Sequence, residues 1–217
     1  MVVEIGSEIR IRDASKELYD WAQENLIIPN PQYRERERRG LWVGNTPKYL
    51  WLYHVDGSDL IVPTGVGKQV RQFLSEKDQI YVHLADNGLL DYKGTIPLYD
   101  YQKEAVEVMQ RTSCGILQSP CGSGKTQMGI ALAAELGRKV LWVTHTQDLL
   151  IQSKTRAEQY FSSETLGTIT AGKAQVGSHI TFATVQTLCK MDLEQFRYTW
   201  DVVIVDECTD WQEHQHR

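Results

Sequence analysis

From about residue 94 onward, short apolar runs alternate with stretches whose apolar residues recur every three or four positions. The short runs predict buried β-strands, and the longer stretches predict amphipathic helices. Strands that alternate with helices favour a parallel sheet with helices on both faces, which is a doubly wound α/β fold. The pattern predicts helices over 101–112, 125–136, 147–161 and 186–196, and strands over 114–118, 139–145, 179–185 and 201–206.

The first part of the chain has shorter and more mixed segments, which predict a small α+β domain over 1–93 ahead of the α/β domain over 94–217. Leu18, Trp21 and Leu26 share one face at helical spacing, which indicates an early helix. The pattern predicts a helix over 14–26, strands over 49–55 and 59–63 joined by a turn at 56–58, a short helix over 68–76 and a strand over 79–84.

The composition is that of an ordinary globular protein, with 41% hydrophobic residues, 24% charged residues and a net charge of −5. Proteins that coat nucleic acid are usually basic, so any contact with nucleic acid is expected to be local. No apolar run approaches the roughly 20 residues of a membrane span, and acidic residues come too early for a secretory signal. The four cysteines lack CxxC spacing, so we expect reduced thiols, no structural zinc and a cytoplasmic location.

A glycine-rich turn, SPCGSGKT at 119–126, lies between a predicted strand and a predicted helix. A helix N-terminus offers unpaired amides and partial positive charge, which attract phosphate. Glycine permits the tight turn that points these amides inward. In such a loop the lysine reaches the β- and γ-phosphates and the threonine hydroxyl binds Mg²⁺. The turn therefore predicts a binding loop for ATP and Mg²⁺, formed by Pro120, Cys121, Gly122, Ser123, Gly124, Lys125 and Thr126.

An acidic pair follows the last predicted strand, where Asp206 and Glu207 come directly after the apolar run 202–205. Because ligands of a parallel sheet bind at the carboxyl ends of its strands, we expect this pair to lie near Lys125. Asp206 is the candidate ligand of Mg²⁺, and Glu207 is the candidate general base that polarises the attacking water. Lys125 and Glu207 are thus the predicted catalytic residues, and Thr126 and Asp206 are the predicted metal ligands.

These segments, in this order, resemble the first RecA-like domain of superfamily 2 helicases and DNA translocases. The resemblance covers the glycine-rich loop and four further segments: LYDYQKEAV at 98–106, LWVTHTQDLLIQ at 141–152, TFATVQTL at 181–188 and DECT at 206–209. It implies that Gln102 reads the adenine, with Tyr99 or Tyr101 near the base. The N-terminal module, with the stretch IPNPQYRERERRGLWVGNTPKYLWLY at 28–53, looks more loosely like the lead domain of phage and mobile-element helicases of this type.

In that family the segments at 141–152 and 181–188 contact the nucleic-acid backbone. The resemblance therefore implies DNA as the partner, with RNA left open. The candidate nucleic-acid contacts are Thr144, His145, Gln152, Thr184 and Gln186.

The chain departs from the family pattern at three places. Ser119 replaces the first glycine of the loop, and Thr209 stands where the family has a histidine that links ATP state to the nucleic-acid site. The sequence also ends at Arg217, before the second RecA-like domain of the family. Because that domain supplies arginines worth roughly 10³–10⁵ in rate in related enzymes, we expect ATP binding with slow hydrolysis unless a second chain carries that half.

Several alternatives stay open at the level of sequence. The chain could be a non-catalytic nucleotide-binding module, or a restriction-type translocase subunit that acts with a nuclease. The alternating charges of 34–39 fit either a solvated surface or an arginine patch for phosphates. Cys121 is either a small filler or a redox-sensitive thiol, and His214 with His216 is either a polar terminus or a metal site.

Overall fold

The computed structural model describes residues 1–170 and 173–207 of the chain. The chain divides into two compact units, Met1–Leu84 and Ala85–Arg217. Within the described ranges, no helix is both long enough and apolar enough to cross a bilayer.

The first unit is an α+β domain built on a five-stranded sheet. In chain order it contains β1 (Val2–Ile5), β2 (Glu8–Arg12), α1 (Lys16–Asn25), β3 (Ile27–Pro29), α2 (Pro31–Arg38), β4 (Tyr49–Trp51), β5 (His54–Asp56), β6 (Asp59–Pro63), α3 (Gly67–Val70) and β7 (Gln79–Val82). The sheet order is β5-β6-β2-β1-β7, and β3 pairs separately with β4. Only the β1–β7 pair of the larger sheet is parallel.

The predicted early helix is confirmed as α1, and its apolar face packs on this sheet. Leu18 and Leu26 are buried together with Ile9, Ile11 and Leu60 of the strands. The helix begins where the hydroxyl of the preceding serine accepts a hydrogen bond from the Leu18 amide, which satisfies one of the free amides of its first turn.

The predicted strand over 49–55 is wrong, because this stretch forms two strands in different sheets. Residues 49–51 pair with β3, whereas residues 54–56 pair with β6 through the predicted turn at Gly57. Tyr53, between them, is 8% exposed and belongs to the core, whereas Trp51 is 64% exposed. The apolar pattern therefore gives no sign that the chain passes from one sheet to another between these two strands. The predicted helix over 68–76 is also shorter, because only Gly67–Val70 is α-helical, flanked by single 3₁₀ turns.

The second unit is a doubly wound α/β domain. In chain order it contains α4 (Asp100–Gln110), α5 (Lys125–Leu136), β8 (Val140–Thr144), α6 (Gln147–Ala157), β9 (Leu166–Thr170), β10 (Lys173–Gln175), β11 (Ile180–Thr184), α7 (Val185–Leu188) and β12 (Val202–Val205). The sheet order is β10-β9-β11-β8-β12, and all neighbours are parallel except β10 and β9.

Apolar residues of successive positions in β8 face opposite sides of this sheet. Trp142 packs with Ile130 of α5 and Leu150 of α6 on one side, whereas Leu141 packs with Leu188 of α7 on the other. Helices therefore cover both faces, and the predicted fold class is confirmed. The parallel strands place their carboxyl ends along one edge of the sheet, which is where α5, α6 and the acidic pair begin.

The predicted strand over 114–118 is wrong, since the structure describes no strand there. Ile116 is 85% exposed, and only Leu117 packs against the small core between α4 and α5. A strand requires a neighbouring strand as well as an apolar sequence, and the sheet formed by the described residues ends at β12. The apolar run alone was therefore insufficient.

The segment that precedes α4 packs against the rest of the second unit. The Tyr92 ring lies edge-on to Phe161 and His179, with centroids 5.2 and 4.7 Å away, and its hydroxyl donates to the Arg138 carbonyl at 2.7 Å. Burial raises the pKa of Tyr92 above its ordinary value.

The boundary between the two compact units lies between residues 84 and 85 of the chain, nine residues before the boundary that the sequence predicts.

Candidate functional site

The glycine-rich loop ends at the N-terminus of α5, with Lys125 as the first helical residue. Gly122 and Gly124 have φ angles of 78° and 82°, which are left-handed conformations that favour glycine. At Gly124 a Cβ would lie 2.5 Å from the side-chain nitrogen of Gln102. The backbone angle therefore strongly favours glycine at that position, and a Cβ would also displace the Gln102 amide.

The side chains of α4 and of the loop itself fix the loop in place. Gln102 donates to the Ser123 carbonyl at 2.8 Å and accepts from the Tyr99 amide at 2.9 Å, so its buried amide joins the helix N-terminus to the loop. The Tyr101 hydroxyl donates to the same carbonyl at 3.0 Å. The Ser119 hydroxyl donates a hydrogen bond to the Ser123 hydroxyl at 2.7 Å. The serine that replaces the first glycine therefore joins the beginning of the loop to Ser123.

The ammonium group of Lys125 lies between the loop and the acidic pair. Its Nζ is 3.3 Å from the Ser119 carbonyl and 3.4 Å from that of Pro120. The same atom is 3.6 Å from Oε1 of Glu207. Lysine and glutamate, distant in sequence, therefore form an ion pair at the rim of the sheet.

Asp206 is buried next to Thr126. Its Oδ2 accepts hydrogen bonds from the hydroxyls of Thr126 and Ser153, each at 3.2 Å. Burial raises the pKa of Asp206 above its ordinary value of 3.8, and the nearby charge of Glu207 adds to the rise. The hydroxyl hydrogen bonds and the charge of Lys125 act in the opposite direction. A cation beside this carboxylate would stabilise its charged form.

Glu207 follows Asp206 with a φ angle of 56°, an unusual left-handed conformation for a residue with a side chain. The Asp206 amide donates to the Val143 carbonyl at 2.9 Å, which extends the β8–β12 pairing by one residue. The next residue then turns sharply away from the sheet. The turn sends the two carboxylates in different directions, one toward Thr126 and one toward Lys125.

These groups line a cavity of about 460 Å³ at the carboxyl edge of the sheet, within the range of small-molecule sites. Its walls are formed by Pro97, Tyr99, Tyr101, Gln102, Gly122, Gly124, Lys125, Thr126, Gln127, Leu149, Gln152, Arg156, Asp206 and Glu207. The rings of Tyr99 and Tyr101 are stacked, 9° from parallel with centroids 6.0 Å apart. The cavity therefore combines flat aromatic surface, two cations and two carboxylates.

Sequence reasoning missed the contribution of α6 to this cavity. Leu149, Gln152 and Arg156 recur at helical spacing and line it together, and Ser153 hydrogen-bonds to Asp206. The signal was available, because a helix that follows β8 begins at the same edge of the sheet as the loop. The resemblance had placed Gln152 among nucleic-acid contacts instead.

The five candidate nucleic-acid contacts lie in different environments. Thr144, His145 and Thr184 are buried, Gln186 is exposed, and Gln152 lines the cavity. The hydroxyl of Thr144 donates to a carbonyl two residues on, and that of Thr184 caps α7. Their role in binding nucleic acid stays a prediction. Thr209, His214 and His216 lie outside the described residues.

The side chains in the cavity suit a magnesium nucleotide. Thr126 and Asp206 present hydroxyl and carboxylate oxygens, the ligands that Mg²⁺ prefers. Among the described residues, the side chain of Asp206 has only hydroxyl groups as hydrogen-bond donors, in a place where burial disfavours its charge. The free amides at the start of α5 and the Lys125 ammonium suit phosphate oxygens.

Comparison with known proteins shows similarity to a DNA translocase and to a helicase. The chain is 33% identical over 95 residues to the DNA 3'-5' translocase XPB2 of Sulfurisphaera tokodaii, covering 43% of the chain and 22% of that protein. The chain thus spans about a fifth of the length of this relative. The crystal structure of the UvsW helicase from bacteriophage T4 shares the fold, with a TM-score of 0.63 and 21% identity over 95% of the chain and 82% of the helicase.

A family comparison covers most of the second unit. The family described as Type III restriction enzyme, res subunit, matches residues 95–216, which is more than half of the chain. This range contains the glycine-rich loop, the acidic pair and every described strand of the parallel sheet. The chain therefore belongs to this family and carries the RecA-like domain of superfamily 2 helicases and translocases.

Proposed function

We propose that the chain is the ATP-binding half of an ATP-dependent DNA helicase or translocase. The observation that carries this proposal is the convergence of Lys125, Thr126, Asp206 and Glu207 on one cavity. Lys125 and Asp206 are far apart in the sequence, and the parallel sheet brings both of them to the same cavity. Family membership supports the same conclusion.

Each residue has a role that follows from its position. The amides of the loop and the Lys125 ammonium bind the phosphates, while Thr126 and Asp206 would hold Mg²⁺. The ion supplies charge stabilisation to the phosphoryl group during transfer. Glu207 holds its carboxylate at the cavity, 3.6 Å from Lys125, where it can accept a proton from a water molecule.

The tyrosines suit the other end of a nucleotide. The stacked rings of Tyr99 and Tyr101 are 72% and 52% exposed and offer a flat surface to a purine. Gln102 is the predicted adenine reader, and its amide already bonds to the Tyr99 amide and the Ser123 carbonyl. A contact between Gln102 and adenine would exchange or share one of these bonds, which would link base recognition to the position of the loop.

We expect this chain alone to hydrolyse ATP slowly, because in the family a second RecA-like domain contributes arginines to the same site. Helicase activity then needs the second domain, in this polypeptide or in a partner. The non-catalytic module remains the alternative, and nucleotide would then act only as a structural ligand. A restriction-type translocase would use the same cavity, and an associated nuclease would distinguish it.

Thermal stabilisation by ATP and Mg²⁺, together with phosphate release with and without DNA, tests the proposal. A ligand at 100 times its Kd stabilises a protein by about 2.7 kcal/mol, and Lys125→Ala should lose this shift. Slow phosphate release that disappears in Glu207→Gln supports the enzyme, whereas full stabilisation without any release supports the module. An unchanged shift in Lys125→Ala would contradict both.

A further inference from the structure

The first unit has an exposed basic and aromatic region that the ATP site does not use. Helix α2, the loop after it and β4 form one continuous stretch over residues 30–51, with five cationic side chains and two carboxylates in a chain of net charge −5. We call this region the aromatic–arginine surface, which comprises Arg34, Arg38, Trp42, Lys48, Tyr49 and Trp51.

The arginines of this surface are available to a ligand. Helix α2 buries none of its residues. Glu35 pairs with Arg39 at 2.6 Å, whereas Arg34 and Arg38 have no ion-pair partner among the residues that the structure describes. These two guanidinium groups are one helical turn apart and line the same shallow cavity of about 330 Å³ with Pro29, Pro31 and Glu35. Two adjacent unpaired guanidinium groups in a concave site are suited to phosphate oxygens.

The aromatic side chains are exposed to an unusual degree. Trp42 is 84% exposed, Trp51 is 64% exposed and Tyr49 is 48% exposed. Large aromatic side chains normally bury most of their area, since each contributes strongly to a core. In β4 the side chains of Tyr49 and Trp51 lie on the same side of the strand, because they are two residues apart. Lys48 lies 5.9 Å from the centre of the Tyr49 ring.

The surface is held in shape by buried and main-chain contacts. Asn30 is 4% exposed. Its side chain caps α2 at the Gln32 amide and donates to the Pro47 carbonyl. Arg36 donates to the Trp42 carbonyl at 3.2 Å. At Gly44, with a φ angle of 51°, a Cβ would lie 2.7 Å from the Trp42 ring. The glycine therefore lets the ring lie against the loop backbone.

Cations beside exposed rings match one class of ligand better than others. Single-stranded nucleic acid offers phosphates for guanidinium groups and unstacked bases for aromatic faces, and each base–aromatic stack is worth about 1–3 kcal/mol. In duplex nucleic acid the bases are already stacked on one another and cannot cover the rings. Protein interfaces also use tryptophan, tyrosine and arginine, but a protein partner would have to place a carboxylate at both Arg34 and Arg38, whereas a nucleic-acid strand carries a phosphate at every nucleotide. We infer that the aromatic–arginine surface binds single-stranded nucleic acid, with Arg34 and Arg38 on phosphates and Trp42 stacked on a base.

This inference extends the proposed function, but it does not require nucleotide binding. The surface lies wholly within the first unit, and none of its residues lines the ATP cavity. The experiment therefore includes Lys125→Ala. If this variant loses ATP but keeps the oligonucleotide, the two sites are separate, and failure of one proposal leaves the other in place.

The test measures binding of a fluorescein-labelled oligo-dT of about 20 nucleotides to the full chain by anisotropy, from 0.05 to 0.5 M salt. The double variant Arg34→Gln/Arg38→Gln should lower the slope of log K against log salt by about 1.4, or roughly 0.7 per phosphate contact. If the affinities converge near 1 M salt, this slope corresponds to a loss of about ten- to thirtyfold at 0.1 M. Arg71→Gln, which changes an exposed arginine on the same unit, is the matched control and should change neither quantity.

The second variant separates stacking from charge. Trp42→Leu should weaken binding by about fivefold or more without changing the salt slope, because a ring is lost and no charge. Tyr81→Leu, at an exposed tyrosine of β7, is its control and should bind as the parent chain does. A matching duplex of the same length should bind more weakly than the single strand.

Three results would overturn the inference. One is an equal loss in Arg71→Gln, which would mean diffuse electrostatic attraction. Another is full affinity in Trp42→Leu, which would leave the rings for a protein partner. The third is a duplex that binds as tightly as the single strand. Circular dichroism spectra of the variants that match the parent chain exclude unfolding as the cause of a loss.

Discussion

The cavity of the second unit, which we propose binds ATP, and the aromatic–arginine surface of the first unit both offer cations and aromatic rings, but they hold them differently. In the cavity Lys125 is paired with Glu207, and the carboxylate of Asp206 is buried under two hydroxyl groups. On the surface, Arg34 and Arg38 are unpaired within the described part of the chain, and Trp42 is 84% exposed. The cavity pairs its lysine with a carboxylate, whereas the surface leaves Arg34 and Arg38 to a ligand.

This difference indicates what each region can recognise. A cavity with internal pairs and a tight loop suits one compact ligand of fixed shape, since binding replaces specific contacts. An exposed group of cations and rings suits a flexible polymer whose contacts repeat. The affinity for such a charged polymer depends strongly on salt. Substitutions in the cavity should therefore act through geometry, and substitutions on the surface should act through charge number and ring area.

The largest effect is expected at Gly124. In Gly124→Ala the residue keeps an unfavourable left-handed conformation, worth about 1–2 kcal/mol, and its Cβ meets the Gln102 amide at 2.5 Å. Either the loop or the Gln102 side chain, which holds the loop at the Ser123 carbonyl, must shift, so we expect ATP affinity to fall by tenfold or more, a cost of about 1.4 kcal/mol per factor of ten. Calorimetric titration with ATP and Mg²⁺ measures this loss.

Gly122→Ala is the matched control, because its φ angle is similar but a Cβ there meets nothing within 4 Å. Its loss of ATP affinity should be clearly smaller. Both variants should keep their affinity for oligo-dT. Equal losses in the two variants would show that the contact with Gln102 is unimportant, and a loss of oligo-dT binding would end the separation of the two regions.

A smaller effect is expected at Arg156, which lines the cavity from α6. A charge-assisted hydrogen bond to a ligand is worth about 1.5–3 kcal/mol. Because Arg156 is exposed, we take the lower end of this range and expect Arg156→Gln to weaken ATP binding by roughly tenfold. Lys154→Gln is the control on the same helix, since Lys154 pairs with Glu158 at 2.5 Å. If both variants bind ATP as the parent chain does, Arg156 is only part of the wall.

Asp206 predicts a pH effect on stability in the absence of nucleotide. Burial raises the pKa of the Asp206 carboxyl group in the folded state. This group therefore makes its full contribution to stability below pH 3.8, its ordinary pKa. The contribution is lost as the pH rises from there through the raised pKa. At neutral pH the buried charge therefore costs stability, and Asp206→Asn should melt at a higher temperature than the parent chain. This gain should shrink as the pH is lowered toward 4.

Differential scanning fluorimetry across this pH range measures the effect. Asp100→Asn, at an exposed carboxyl group of α4, should show no such gain that grows with pH. A variant Asp206→Asn that melts below the parent chain at neutral pH would show that the carboxylate stabilises the fold. That result would weaken the argument that Asp206 is kept for a cation.

The smallest effect is expected at Ser119, where the family pattern has glycine. Ser119→Gly removes the hydrogen bond to Ser123 at 2.7 Å, which costs about 1 kcal/mol of local stability. The Lys125 ammonium contacts the Ser119 main-chain carbonyl, which the substitution retains. We therefore expect ATP affinity to stay within about twofold, and a larger change by titration would show that the serine hydroxyl holds the loop.

The centre of the cavity could be predicted from the sequence because glycine, lysine and the acidic pair carry their physical requirements with them. Lys125 had to begin a helix, and Asp206 had to follow an apolar strand. Parallel strands then bring both to one edge. Ser153 and Arg156 carry no such requirement, because serine and arginine on a helix have many uses, and only the packing of α6 shows which side they face.

The first unit was harder to predict because its strands are short and change partners. In β2, Ile9 and Ile11 alternate with exposed or half-buried polar residues, a period-two signal that identifies an antiparallel strand in retrospect. Helix α2 also had a usable signal, since Asn30 and Pro31 are typical of a helix start. The alternating charges of 34–39 were interpreted without these two residues. The exposure of Trp42 follows from the turn at Gly44, and no pattern of hydrophobicity indicates it.

The most direct test of the central claim, that Lys125 and the acidic pair act on one magnesium nucleotide, is equilibrium dialysis of ATP with Mg²⁺ or with EDTA. The parent chain should retain ATP about tenfold or more tightly with Mg²⁺, corresponding to about 1.4 kcal/mol. Asp206→Asn should lose this enhancement, and Lys125→Ala should retain little ATP under either condition. A full Mg²⁺ enhancement in Asp206→Asn, or undiminished ATP binding in Lys125→Ala, would contradict the account.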